Sequence, residues 1–235
     1  MPAPAATVAA AFGESVRHWP DHPFLAVLPE TAAIYGIAPG EITYADLAAQ
    51  VEPLRHAYGA AGYRHGHRVG ILVHNRPAFF VHWFALNALG VSLVPINPDL
   101  RAAELENLIG HSDVVAIVAL PDRHRDLAAA ASAVGRAIPV VAPDAPPAAI
   151  TAPAPLAGPP DADTECALLY SSGTTGRPKG CVLPNEYFLA AGRWYAEIGG
   201  LIALRPGEER MLTPLPMYGM PRPRHARASQ TASPT

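Results

Sequence analysis

Residues 170–180 read YSSGTTGRPKG, with four aliphatic hydroxyls, three glycines and a lysine in eleven positions. That set of groups suits a polyphosphate. A dense anion is held best by backbone N–H groups with no side chains in the way, which Gly173, Gly176 and Gly180 permit. Ser171, Ser172, Thr174 and Thr175 add hydroxyl donors, and Lys179 adds a mobile point charge that can follow a departing phosphate. Pro178 stiffens the exit. The spacing is not GxxxxGK[ST], because Lys179 precedes a glycine, and there is no GxGxxG fingerprint. A hairpin tip rich in small polar residues is the plainer reading of the composition; the order of the string favours a phosphate loop.

Other chemistry-bearing residues read as structural. Cys166 and Cys181 flank the loop without a base or a helix N-terminus to activate them, so both are expected as small buried hydrophobes. His65 and His67 lack a third metal ligand and read as loop residues; His74 and His82 read as core-edge or surface residues. The aromatics of AFFVHWF are expected to pack, and Glu208 and Glu209 to sit on a solvated turn.

The elements that must position the loop follow from periodicity. Thr43 can cap a helix carrying Leu47, Val51, Leu54 and Tyr58 at helical spacing, with Pro53 tolerated or kinking it and Gly62 as its stop. Residues 68–74 read as a buried strand, 77–90 as a helix opened by Pro77, and 91–96 as the next strand. A helix starting near Asp99 runs through RAAELENLIGH, followed by a strand over 114–120, a helix over about 123–134 and a short strand over 137–141. Strands alternating with helices imply an α/β layered fold with a parallel sheet and right-handed crossovers.

Residues 142–163 break the rhythm, because neither a helix nor a ladder survives their proline density; they read as a surface connection. Order resumes with the strand ECALLYSS, the glycine loop and the strand GCVLP, a β-hairpin carrying the loop at its tip. A helix through NEYFLAAGRWYAEIGGLIAL follows, with Asn185 expected as its N-cap.

At 235 residues, half of them apolar, the chain can bury a substantial core. A net charge of -3 and a pI near 6.3 provide no basic field for a nucleic-acid backbone. Two cysteines make no disulfide framework and fit a reducing compartment. The N-terminus lacks a basic region before a sustained apolar one, and no apolar run reaches the ~18 residues of a membrane span. A cytoplasmic protein is expected.

YSSGTTGRPKG closely resembles the signature loop of the AMP-forming adenylate ligases: acyl-CoA synthetases, luciferases and peptide-synthetase adenylation domains. The stretch from ITYADLA to VVAIV (42–118) is similar to the N-terminal region of those enzymes, in the order TY, helix, GDRV-like strand, N-x-P, helix, G, VPINP. LTPLPMY at 212–218 resembles the next family motif. The resemblance runs from about residue 12 to 218 and is greatest to acyl-CoA and carnitine-type CoA ligases. It implies a two-step reaction: ATP-dependent activation of a carboxylic acid to an acyl-adenylate, then transfer to a thiol, usually coenzyme A. It also implies that Ser171, Ser172, Gly173, Thr174, Thr175, Gly176 and Lys179 contact ATP, with Mg2+ as its counter-ion.

The resemblance divides the chain into an α/β N-terminal subdomain (1–141), an Ala/Pro-rich linker (142–163) and an incomplete AMP-binding part carrying the phosphate-loop hairpin (164–218). A tail at 219–235 follows. Gly219 stands where the family usually places a histidine, and GMPRPRHARASQTASPT has no Leu, Ile, Val or aromatic residue, so it reads as an out-of-frame tail. The family's adenine-binding strand, magnesium-holding acid, ribose-binding aspartate and C-terminal lysine all lie further downstream. The expectation is therefore a truncated ligase, inactive alone. A non-catalytic nucleotide-binding module and one half of a split ligase completed by a second chain stand as alternatives.

Overall fold

The computed structural model describes residues 5–171, 179–200, 204, 205 and 211. Eight strands and seven helices occur among them. An amino-terminal helix α1 (Val8–His18) leads to a two-stranded antiparallel pair, β1 (Pro23–Val27) and β2 (Gly40–Thr43), separated by the short helix α2 (Pro29–Tyr35). The sequence reading did not anticipate these elements; α2, β1 and β2 are too short to show a clear period. The long helix α3 (Tyr44–Ala60) starts where expected. Thr43 Oγ1 accepts from the Asp46 backbone N–H at 3.0 Å, while the Asp46 carboxylate accepts from the Thr43 N–H at 3.1 Å, a reciprocal capping box. Pro53 sits inside the helix without ending it.

From there strand and helix alternate through β3 (Arg68–Leu72), α4 (Ala78–Asn87), β4 (Ser92–Pro95), α5 (Ala102–Ser112) and β5 (Ala116–Ala119). A single 3₁₀ turn, α6 (His124–Ala133) and the two-residue β6 (Val140–Val141) follow. Helix α5 begins after Arg101, not Asp99; the Glu104 carboxylate accepts from the Arg101 backbone N–H at 3.0 Å and closes the amino end. The hairpin β7 (Glu165–Ser171) and β8 (Lys179–Pro184) then leads into α7 (Asn185–Glu197), which is shorter than the run of helix-forming residues suggests. Its carboxyl end is followed by Gly199 and Gly200, both at positive φ.

The main sheet has the order β6-β5-β3-β4-β7-β8, parallel except for β8, which pairs antiparallel with β7 on the edge. Both faces are covered. Val69, Ile71, Leu93 and Val118 point into a core shared with Leu47, Tyr58, Phe84 and Leu86, while Leu72, Val94, Ile117 and Leu168 point into a second core with Leu105, Ile109 and Leu127. The strand period of two divides each strand between a face under α3 and α4 and a face under α5 and α6. Strands from both sides of the Ala/Pro-rich stretch share this one sheet.

Residues 142–163 run over the surface as a fastened strap. His82 Nε2 donates to the Pro143 carbonyl (3.0 Å), the Tyr63 hydroxyl to Ala148 (3.1 Å), His67 Nε2 to Pro153 (2.9 Å) and His65 Nδ1 to Gly158 (3.2 Å). Two main-chain bonds, Ile150 to Ala61 and Leu156 to His65, run alongside. The strap's own prolines donate nothing, so its acceptors are met by side chains from the body. His67 and His82 are accordingly buried, and His82 is no surface residue.

Candidate functional site

The carboxyl end of a parallel strand is where open α/β sheets present their binding loops. Strand β7 ends there, and the chain returns along β8 as the expected hairpin, with Tyr170 paired to Gly180 and Ser171 to Lys179 at its neck. Ser172, Gly173, Thr174, Thr175 and Gly176 lie outside the described residues, as do Glu208, Glu209, the 212–218 motif and the 219–235 tail. Ser171 is placed as the last residue of β7 and Lys179 as the first of β8, where Lys179 is exposed.

Gly180 has a different role from the one its place in the string suggests. It lies within β8, and a Cβ there would stand 3.0 Å from Leu168 Cδ1 and 3.5 Å from Tyr170 Cζ. Side chains from β7 cross the hairpin in the space its missing side chain leaves. The Tyr170 hydroxyl is in turn 2.7 Å from His111 Nδ1 near the end of α5, with the two rings edge to face. Burial pushes the Tyr170 phenol up to about 12, so it stays protonated and able to donate.

The opposite, amino edge of the sheet holds an open cleft of about 440 Å³, lined by Arg68, Ser92, Thr164 and Glu165 among others. Its charges are satisfied internally. Arg68 grips Glu165 through two parallel bonds of 2.8 and 2.7 Å, and the Ser92 hydroxyl donates to the same carboxylate at 2.7 Å. This brace joins the starts of β3, β4 and β7 and sits at the far end of the sheet from the loop.

Beneath the hairpin lies a second polar node that sequence reasoning misplaced. Asn185 is the first residue of α7 and is buried; Pro184 holds the cap position. The Asn185 carbonyl oxygen accepts from the Val8 backbone N–H (3.1 Å) and from Asn87 Nδ2 (2.9 Å), and its amide donates to the carbonyls of Asp161 and Thr164. Asn87 Oδ1 accepts from the Ala9 N–H and Thr7 Oγ1 from the Ala10 N–H, at 2.8 and 3.1 Å. Three otherwise orphaned donors of α1 are thus met from three places in the chain. The Asn87 amide also donates to Cys166 Sγ at 3.3 Å, and burial pushes that thiol up to about 12, which leaves it inert. Cys181, expected to be buried, is exposed because β8 is the sheet edge. Among the described residues, no helix is long and apolar enough to cross a membrane and no three His, Cys, Asp or Glu side chains gather as a metal site.

Residues 12–220 match the family of the AMP-binding enzymes. The chain belongs to that family. Among its relatives is the sulfoacetate–CoA ligase of Cupriavidus necator, 31% identical over 90% of this chain and 40% of the relative. The feruloyl-CoA synthase of an Amycolatopsis species is 37% identical over 61% and 28% of the two chains. The crotonobetaine/carnitine–CoA ligase of Citrobacter koseri is 28% identical over 69% and 35%. Among solved structures, ATP-bound MatB from Rhodopseudomonas palustris superposes with a TM-score of 0.60 at 26% identity, covering 80% of this chain and 37% of that one. The chain spans two-fifths or less of the length of these relatives.

Proposed function

We propose that this chain is the phosphate-gripping portion of an AMP-forming acid–CoA ligase. The observation that carries the reading is the glycine and hydroxyl string YSSGTTGRPKG, whose two described ends pair as β7 and β8 at the carboxyl edge of a parallel sheet. Ser171, Ser172, Gly173, Thr174, Thr175, Gly176 and Lys179 grip the β and γ phosphates of ATP. A substrate carboxylate attacks the α-phosphorus, pyrophosphate leaves, and the thiol of coenzyme A then displaces AMP from the acyl-adenylate. What the loop contributes is position and neutralised charge on the departing pyrophosphate. Among the described residues no three His, Cys, Asp or Glu side chains gather as a metal site, and no step is assigned to magnesium.

More than half the length of each relative lies outside the part matched here, and the contacts to ribose and α-phosphorus are assigned to that remainder, in the same polypeptide or a second one. A loop that binds the outgoing phosphates without those partners supplies ground-state binding and little rate. The test is ATP/pyrophosphate exchange with a panel of carboxylic acids, beside direct ATP binding. The 235 residues alone should bind ATP and show no exchange, and should gain exchange when joined to the remainder of a ligase. Exchange by the 235 residues alone would overturn the assignment of the missing contacts. Absence of ATP binding, or equal binding after Lys179→Ala and Thr174→Val, would overturn the loop.

A further inference from the structure

We propose that His111 is a positioning residue for the phosphate loop, acting through the Tyr170 hydroxyl. The proposal rests on the loop reading above. Strand β8 is an edge strand whose ladder partner is β7. Its tilt, and with it the direction in which the hairpin leaves the sheet, depends on that ladder and on what packs across it. Tyr170 and Leu168 cross it on one face, over Gly180. Leu168 reaches a buried core at its inner end. Tyr170 is only partly buried, and its far end is tied instead by the 2.7 Å bond to His111.

His111 is well placed to hold it. It belongs to the last turn of α5, a helix locked into the core by Leu105, Leu108 and Ile109. A rigid path therefore runs from the core through α5, His111 and the Tyr170 ring to the residue pair next to the loop's neck. The bond joins exposed His111 of α5 to the hairpin, while the Tyr170 ring keeps its own packing against the second core. Its loss should loosen the neck without unfolding the domain.

Two readouts test this on the full chain: binding of a fluorescent ATP analogue, and hydrogen exchange at those amides of β8 that bond to β7. Tyr170→Phe and His111→Ala should each weaken analogue binding about threefold to tenfold, the span of one net hydrogen bond. The double variant should be no weaker than either single one, since both remove the same contact. Exchange at these ladder amides should quicken in all three variants. His111→Asn, whose amide group can stand where Nδ1 stood, should restore both readouts, a rescue that loss of general stability would not give. Leu54→Ala, remote from the hairpin, should lower the melting temperature and leave both readouts unchanged. Unchanged exchange in Tyr170→Phe, or single effects that multiply in the double variant, would overturn the proposal. No binding by the unaltered chain would overturn the loop reading, whereas normal binding that ignores both substitutions would overturn the positioning role alone.

Discussion

Single residues in this fold answer needs that arise far away in sequence. Asn185 bonds the amino end of α1, Asn87 of α4 and the turn before β7, so replacing it strips partners from donors in α1 and α4 and from carbonyl acceptors in the turn. Asn185→Ala should cost about 3 kcal/mol, at one to three per stranded group, read as a lowered urea midpoint with an unchanged slope. Substitution of the exposed Glu186 beside it should move the midpoint by less than about 0.5 kcal/mol. In the sequence Asn185 looks like a local cap, because only its neighbours are visible there; the donors it meets lie 98 and 177 positions away. The chemistry proposed for Lys179 and the loop hydroxyls rests on the opposite kind of signal, one continuous string. Gly180 shows the limit of such a string. Gly180→Ala should disturb the hairpin by about 1 kcal/mol through the clash with Leu168, visible as faster amide exchange in β8.

At the scale of elements, the strap over 142–163 has the clearest physical signature. His82 is buried between Tyr58, whose hydroxyl lies 2.7 Å from its Nδ1, and the Pro143 carbonyl. Burial pulls the imidazole from 6.5 down to about 4, although the Pro143 bond works the other way. Between those values the unfolded chain binds a proton that the folded chain refuses. The stability that neutral His82 permits is complete above pH 6.5 and is lost as pH falls toward 4, by up to about 3 kcal/mol. Urea midpoints at pH 7 and pH 5 should therefore differ more in the unaltered chain than in His82→Gln, which cannot titrate. Gly66 seats the same strap: its φ is +90° and a Cβ would meet Leu156 Cγ at 2.7 Å, so Gly66→Ala should expose residues 150–158 to proteolysis. The proline density announced a segment outside helix and sheet. The fastening was hidden, because its donors sit 61 to 93 positions upstream in helix and loop.

For the whole molecule, the alternation of strand and helix was enough to give the layered parallel sheet, because each central strand is apolar on both faces. The strand order was not readable, since period and propensity say nothing of which strands become neighbours. The far side of α7 bears Tyr187, Trp194 and Ile198 at helical spacing on one exposed stripe, and Val182 is exposed on the edge strand β8. An edge strand beside exposed aromatics favours association. Light scattering of the purified chain should rise with concentration, and Trp194→Glu should suppress the rise; an unaltered chain that stays monomeric at high concentration would refute it. The strap carries one more consequence. The acceptors met by His82, Tyr63, His67 and His65 fall at residues 143, 148, 153 and 158, one in every five, and all are main-chain carbonyls. A peptide bond offers the same oxygen whatever side chain follows it. The instructions for holding this segment are therefore stored in the body that grips it, and its own alanines are free to drift over generations while the path they trace stays put.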